Sequence, residues 1–263
     1  MRMTFHRPLL IAILACLSAC SDAGMQDMTA TPRPATPTAL LSPTPVWFPA
    51  TNTPSPQPFF TQAATPERLV GLTGVIAIDD FSNPTLWNTA QSNQGSATIS
   101  RQRLTLSVQP GIYLISLHRE LFVGDFYAEI TARPSLCRGS DEYGLLVRAR
   151  PITYYRFALT CDGQVHAERI SVKERHVLHE SVPSGDAPPG APSEVRIGVW
   201  AAGPEMRLFL NSRYQFSITD LNLDSGTLGV FAHAIGETPV TVTYSDLVVE
   251  GVEYSPPAQT PTP

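Results

Sequence analysis

The side chains that most often carry catalysis do not form a recognised catalytic motif in this 263-residue chain. There is no G-x-S-x-G elbow, no H-E-x-x-H pair, no G-x-G-x-x-G turn and no phosphate-binding loop. Two closely spaced histidines, His176 and His179, lie in a polar segment. Retaining glycoside hydrolysis needs two carboxyl groups about 5–5.5 Å apart, and no local pattern supplies them. The sequence therefore favours a non-catalytic protein and leaves enzymatic activity open.

The first candidate for covalent chemistry is Cys20, which ends a targeting segment. Positive charge at Arg2 and Arg7 precedes an apolar stretch that is too short to span a bilayer. The next residues, Leu17-Ser18-Ala19-Cys20, resemble the lipobox of bacterial lipoproteins. The resemblance implies that residues 1–19 are removed as a signal peptide. Cys20 would then receive a diacylglycerol that anchors the protein to a lipid bilayer, outside the cytoplasm. The alternative is an ordinary signal peptide cut at a small-residue site.

Two further cysteines, Cys137 and Cys161, lie in the part of the chain that would be exported. Because exported proteins meet an oxidising compartment, this pair predicts one disulfide bond. It would close a loop of about 25 residues and stabilise the fold by roughly 3.5 kcal/mol in the chain-entropy description. The alternative is a pair of free buried thiols. A metal site is disfavoured because neither cysteine has partners at ligand spacing.

Thr-Pro pairs recur in residues 20–66, from Thr31-Pro32 to Thr65-Pro66. Proline fixes φ and removes a hydrogen-bond donor, so this segment is predicted to be a disordered, extended linker that carries a domain away from the membrane. A leader of no selected length is the other interpretation. Residues 255–263 return to the same composition and are predicted to be a disordered tail. The folded part is therefore predicted to be one domain over residues 67–254.

Short alternating segments fill the predicted domain. Leu104, Leu106 and Val108 alternate with polar residues, and the same period of two recurs in about a dozen segments, including 126–133 and 195–199. No apolar run keeps helical spacing for three turns. Strands with one apolar and one polar face predict an all-β fold of two packed antiparallel sheets.

Four phrases of the domain carry a resemblance to a known superfamily. They are residues 79–84 with Trp87, then 142–149, 154–157 and 242–249. Together they resemble the concanavalin A-like lectin and glucanase superfamily, in particular its laminin-G-like and 3-keto-disaccharide hydrolase-like domains. The resemblance implies a jelly-roll sandwich. Laminarinase-type members carry E-x-D-x-x-E on one strand, and no glutamate of this chain has an aspartate two positions later.

Carbohydrate is the ligand that the resemblance implies. Binding it needs aromatic faces for the C–H surfaces of a sugar and fixed polar groups for its hydroxyls. The residues predicted to face away from the core and bind a ligand are Tyr143, Arg148, Arg156 and Trp200, with Glu129 near them. Arg148 and Arg156 are expected on neighbouring strands of a hairpin. The alternatives are that each arginine is solvated or paired with Glu129, and that Trp200 belongs to the core.

Two aspartates form a candidate metal site. Asp80 follows the first predicted strand and Asp246 lies in the last. In the jelly rolls that this chain resembles, the terminal strands often lie side by side, so the two carboxylates would suit Ca²⁺, which prefers oxygen ligands. The alternative is that these carboxylates cap turns. No other cofactor is predicted.

The charge balance restricts the class of partner. The net charge is −5 and no long Lys/Arg run occurs, which disfavours nucleic acid as a partner. Three functions stay open for a surface lipoprotein of this kind. The favoured one is a non-catalytic module that binds glycan or another extracellular polymer. The others are a structural or protein-interaction lipoprotein, and a carbohydrate-active hydrolase of the 3-keto-disaccharide type.

Overall fold

The structure is a computed structural model, and it describes residues 69–254. The predicted signal peptide, Cys20, the predicted linker and the tail from residue 255 lie outside the described residues. The described part of the chain contains no helix with the length and hydrophobicity of a membrane span.

Fifteen β-strands and one short 3-10 helix, Pro84–Leu86, make up most of the described chain. The strands are β1 (Leu72–Asp79), β2 (Ala90–Gln91), β3 (Gly95–Ser100), β4 (Arg103–Val108), β5 (Tyr113–Leu117), β6 (Phe126–Leu136), β7 (Glu142–Arg150), β8 (Thr153–Thr160), β9 (Gln164–Ile170), β10 (Arg175–Pro183), β11 (Val195–Ala202), β12 (Glu205–Leu210), β13 (Arg213–Thr219), β14 (Thr227–His233) and β15 (Val240–Val252).

The strands form two antiparallel sheets. The nine-stranded sheet has the order β13-β12-β11-β6-β15-β4-β3-β2, and β1 pairs with the second half of β15. The six-stranded sheet has the order β10-β9-β8-β7-β14-β5. The predicted all-β fold of two antiparallel sheets is confirmed.

One hydrophobic core lies between the sheets because alternate residues of each strand point inward. In β4 of the nine-stranded sheet, Leu104, Leu106 and Val108 are buried, and the residues between them are not. In the six-stranded sheet, Tyr155 and Phe157 of β8 join the same cluster. The period-two pattern thus assigns one face of each sheet to the core and leaves the outer faces for other roles.

The predicted disulfide between Cys137 and Cys161 is confirmed. Cys137 directly follows β6 and Cys161 directly follows β8, so the bond connects the ends of strands from different sheets. The two Cα atoms are 5.6 Å apart, within the usual range for a disulfide, and both residues are buried.

The phrase that begins at Asp79 is a structural motif. The Asp79 carboxylate accepts hydrogen bonds from the Phe81 backbone N–H at 2.7 Å and from the Trp87 indole N–H at 2.6 Å. Phe81 stacks on Trp87, with ring centroids 5.2 Å apart, and both rings are buried. His118 Nε2 lies 3.6 Å from the same carboxylate. A buried carboxylate with several donors therefore fixes the segment that leaves β1.

Arg148 is buried inside the fold, and the prediction that it faces outward toward a ligand is wrong. It lies in an irregular part of β7 with φ of 48°, where the register with β14 and β8 shifts. Its guanidinium donates to the carbonyl oxygens of Gly124, Gly203 and Leu223 and to the Asp125 carboxylate. Every guanidinium N–H group is used, so Arg148 joins three loops.

We expect Arg148→Met to lower the free energy of unfolding by about 3 kcal/mol, because it leaves several buried carbonyl groups without donors. Arg148→Lys should restore only part of this, because an ammonium group lacks the planar fork. Urea denaturation measures both effects.

The matched control is Arg150→Gln. Arg150 is two residues further along β7 and bonds the exposed Asp224, so its loss should change stability by less than about 1 kcal/mol. Equal losses at the two positions would contradict the assigned role of Arg148.

Candidate functional site

The outer face of the six-stranded sheet carries a cluster of charged residues that are almost fully buried. Cross-strand register places Glu142 of β7 beside His233 of β14, and Arg156 of β8 beside Glu168 of β9. His166 of β9 lies on the same face. Charged side chains on the outer face of a sheet are seldom buried to this extent unless they are paired with one another.

Arg156 is the centre of this cluster. Its Nη1 lies 3.1 Å from Glu142 Oε2, and its Nη2 donates to Glu168 Oε2 at 2.5 Å. Burial by itself would lower the pKa of Arg156, but the charges of Glu142 and Glu168 outweigh burial and raise that pKa above its usual value. The guanidinium therefore links two carboxylates that come from different strands.

The Arg156 guanidinium lies over a floor of aromatic and small residues. Its carbon is 5.3 Å from the ring centroid of Phe231 and 5.7 Å from that of Tyr113. Tyr154 donates from its hydroxyl to the Tyr113 hydroxyl at 3.3 Å. The floor must be small at Gly144, where an added Cβ would clash with the Phe157 carbonyl oxygen and lie 3.1 Å from the Phe231 ring.

His166 has the least satisfied side chain of the cluster. Its Nε2 lies 3.5 Å from Glu142 Oε1 and 3.8 Å from Glu168 Oε1, yet neither ring nitrogen has a hydrogen-bond partner among the described residues. The side chain is only 6% exposed. Burial lowers the pKa of His166 in spite of the two carboxylates, so the ring is neutral at neutral pH.

An open cleft of about 240 Å³ gives solvent access to this cluster. Its lining includes Glu142, His166, Glu168, Arg175 and Gln164. Arg175 of β10 is 59% exposed and donates through Nε to Glu168 Oε1 at 2.5 Å, so it covers one side of the cleft. The cleft thus combines carboxylate acceptors, guanidinium donors and a histidine that can accept or donate.

Glu142 is held in its ionised form. Burial by itself would raise its pKa, but the hydrogen bond with His233 at 3.2 Å and the charge of Arg156 act against burial, and the pKa is lowered. An ionised carboxylate accepts hydrogen bonds and cannot act as a general acid. The arrangement is suited to hydrogen bonding of a polar ligand.

Of the four residues predicted to bind a ligand, Arg156 lies in this cluster. Tyr143 packs in the core between the sheets, so the prediction that it faces outward is wrong. Its position could have been read from the sequence, because it shares its parity along β7 with the buried Leu145 and Val147.

Trp200 points away from the core between the sheets, as predicted, because its neighbours Val199 and Ala201 belong to that core and Trp200 does not. It is nevertheless fully buried, so the prediction that it is exposed to a ligand is wrong. It lies in a second cluster, where its indole N–H donates to the Val70 carbonyl at 3.0 Å and Arg207 lies 4.2 Å over its ring. Glu129 is on the nine-stranded sheet and pairs with Arg196 at 3.2 Å, so it lies apart from Arg148 and Arg156, and the alternative in which it pairs with them is wrong.

Asp80 and Asp246 do line one cleft, as the predicted calcium site requires. Asp80 accepts hydrogen bonds from the Ser82 backbone and from Gln102, and Asp246 accepts one from Ser245. Arg101, Arg103 and Arg133 line the same cleft and disfavour a divalent cation there. No group of three or more potential metal ligands occurs among residues 69–254. Calcium binding at this pair stays a prediction.

Sequence reasoning missed most of the charged cluster: Glu142, Glu168, His166, Arg175 and His233. One signal was available, because Glu142, Arg156 and Glu168 occupy polar positions of alternating segments on consecutive strands. Their convergence on one guanidinium depends on strand register, which the sequence does not show.

The fold is similar to the folds of several solved structures. No protein-family profile and no curated protein matches the chain. The carbohydrate-binding module CBM66 from Bacillus subtilis is similar at a TM-score of 0.53 and 15% identity, with 64% of this chain and 98% of that chain covered. A Bacillus subtilis protein of unknown function with a galectin-like fold is similar at 0.51 and 14% identity, with 70% and 99% covered.

A third similar structure comes from work on endo-acting O-glycanases of the human gut microbiota that initiate mucin breakdown. It has a TM-score of 0.52 and 10% identity, with 68% of this chain and 100% of that chain covered. At these identities the likeness shows the fold alone. The chain therefore shares a two-sheet β-sandwich fold with a carbohydrate-binding module and with a protein of galectin-like fold.

The lowered pKa of His166 predicts a dependence of stability on pH. As the pH falls through about 6.5, the unfolded chain takes up the proton on this histidine first, so the free energy of unfolding decreases. Glu142, whose pKa is lowered, adds slope only as the pH approaches about 4.5, the usual value of a glutamate, where the unfolded chain begins to bind the proton. We expect His166→Leu to flatten the loss of stability between about pH 7 and pH 5.

Urea denaturation at several pH values measures this slope, which for one proton is at most about 1.4 kcal/mol per pH unit. His176→Leu is the matched control, since His176 is exposed. The same slope in wild type and His166→Leu would show that the buried ring does not take part.

Proposed function

We propose that this protein is a surface-displayed glycan-binding module whose ligand lies in the cleft on the outer face of the six-stranded sheet. The observation that carries the proposal is the buried network of Glu142, Arg156 and Glu168 with the unpartnered nitrogens of His166. A network of this kind costs desolvation energy and adds little stability over apolar residues. Its retention on a face open to solvent is best explained by binding.

The chemistry of the cleft fits a carbohydrate. Sugar hydroxyls both donate and accept hydrogen bonds, and the cleft offers carboxylate acceptors, guanidinium donors and the neutral imidazole of His166. Tyr113, which lies beside Arg156, and Tyr154 are partly exposed outside the lining of this cleft, and their rings would offer an apolar surface to the C–H groups of a longer ligand. The similar fold of a carbohydrate-binding module supports the same ligand class.

Glycoside hydrolysis is the second candidate, because two carboxylates, Glu142 and Glu168, face one cleft. A hydrolase needs one carboxyl group that is protonated at the working pH. Glu142 does not meet this need, since its pKa is lowered, and arginines occupy both carboxylates: Arg156 contacts both, and Arg175 also bonds Glu168. The charge network therefore favours binding over hydrolysis.

The anchor belongs to the same proposal. Diacylglycerol on Cys20 would hold the protein at the membrane through two acyl chains, and the Pro/Thr-rich residues 20–66 would carry the domain outward. A glycan-binding domain held in this way would attach the cell surface to an extracellular or envelope polysaccharide.

His166→Leu is the sharpest test of the cleft, because His166 makes no internal hydrogen bond that the substitution would break. We expect the full chain, solubilised in a detergent without sugar groups, to bind members of a glycan array. His166→Leu should weaken that binding about tenfold, which corresponds to roughly 1.4 kcal/mol, while the unfolding curve at neutral pH is kept.

His176→Leu should bind as the wild type does, because His176 is exposed outside the charged cluster. Absence of binding across the array, or full binding by His166→Leu, would overturn the assignment of this cleft. Release of shortened products from a bound glycan would instead favour the hydrolase.

Cys20→Ala tests the anchor. We expect it to abolish incorporation of labelled fatty acid and to move the protein out of the detergent phase, because no thiol remains to be acylated. Cys16→Ala is the matched control and should keep both properties, since position 16 lies within the predicted signal peptide. Continued labelling of Cys20→Ala would contradict lipidation at this residue.

A further inference from the structure

The outer face of the nine-stranded sheet carries an ordered array of hydroxyl groups. Cross-strand register aligns Thr98, Thr105 and Thr243 in one row across β3, β4 and β15, and Ser96, Ser107 and Thr241 in the next. The Thr105 and Thr243 hydroxyls are hydrogen bonded at 3.1 Å, and those of Ser107 and Thr241 at 3.0 Å. The rows lie one strand-pleat period apart, about 7 Å. Each hydroxyl keeps further hydrogen-bonding capacity toward solvent.

Two arginines at the end of this array have no charged partner. Arg101 and Arg103 are exposed, and among residues 69–254 neither guanidinium forms an ion pair or a hydrogen bond. Arginines elsewhere on the sheet are paired, such as Arg196 with Glu129 and Arg213 with Asp186. A groove lined by Ser100, Arg101, Arg103, Thr105 and Thr243 joins the two guanidinium groups to the first hydroxyl row, at Thr105 and Thr243. No carboxylate lines this groove.

The turn that presents these arginines is strained. Arg101 and Gln102 connect β3 to β4 with φ values of 50° and 57°, a two-residue hairpin turn in which asparagine and glycine are the favoured residues. Two residues with side chains at positive φ cost about 1 kcal/mol or more each. Such strain is retained mostly where the side chains have a use. Here it places Arg101 in the lining of the groove.

We propose that this face is a second ligand-binding surface, for a polysaccharide that carries carboxylate or sulfate groups. Guanidinium groups bind both anions through paired N–H donors, and the Ser/Thr rows would bind the hydroxyls of the same chain. The neighbouring cleft shares Arg101 and Arg103 but also contains Asp80 and Asp246, whose carboxylates would repel an anionic group placed beside them. The polymer would therefore run from the arginines along Thr105 and Thr243, away from these aspartates. This surface does not depend on the cleft of the six-stranded sheet.

The test uses the full chain in the same detergent and three probes: polygalacturonate, dextran sulfate and neutral dextran of similar length. We expect binding to at least one anionic probe and none to neutral dextran. The double variant Arg101→Asn with Arg103→Gln should weaken binding about tenfold, with the loss largest at low salt. Asparagine suits the positive φ at position 101, so the turn is preserved.

The matched control is Arg196→Gln with Arg213→Gln, which removes two exposed positive charges from the same sheet. It should change affinity by less than about twofold. His166→Leu should leave anionic binding unchanged, which separates this surface from the first site. Which anionic probe binds identifies whether carboxylate or sulfate is recognised. Failure of both probes, binding of neutral dextran alone, or equal losses in the two double variants would overturn the proposal.

Discussion

The alternation of strand side chains between two faces is the constraint on which the rest of this structure depends. Each strand contributes alternate residues, such as Leu104 and Leu106 of β4, to one core that both sheets share. Burying this core is the main favourable term in folding, so the inward positions have no freedom to carry function. Chemistry is thereby confined to the two outer faces, which are 180° apart in side-chain direction along every strand.

The two outer faces differ in the polar groups that they carry and in how far these groups are buried. On the six-stranded sheet, Glu142, Arg156 and Glu168 are almost excluded from water, and ionic groups in that condition must be paired to be tolerated. On the nine-stranded sheet, neutral hydroxyl groups lie in rows. The unpaired charges, Arg101 and Arg103, lie at the strained turn between β3 and β4. The first face resembles a preorganised site for a small part of a ligand, and the second an extended surface.

Two buried charged side chains, Arg148 and Asp79, hold loop segments that the hydrogen bonds between strands do not hold. Arg148 satisfies carbonyl groups from three loops, and Asp79 satisfies donors from the segment that follows β1. Both are charged residues in the interior with nearly complete hydrogen bonding, which is the condition under which burial of charge is stable. Arg148 and Asp79 lie in two of the segments that carry the family resemblance. Their structural roles account for these residues without a ligand.

The sequence by itself determined the strand content, the two-sheet fold and the disulfide. Each of these follows from local periodicity or from the only two cysteines left in the predicted domain. It also predicted the outward direction of Arg156, and the parity of Tyr143 was available to place that ring in the core. The direction of a side chain from its strand follows from its position along that strand, so it can be predicted without knowing the neighbouring strands.

Only the tertiary structure decided which outward side chains are buried and which charged groups meet. Strand register, bulges and the covering of one side chain by another depend on residues that are far apart in the chain. A bulge turned Arg148 inward, and Val70, which is 130 positions from Trp200 in the chain, covers that indole. The meeting of Glu142 and Glu168 on one guanidinium follows from the register of β7, β8 and β9. A shift of one residue in that register would move every side chain of a strand to the opposite face.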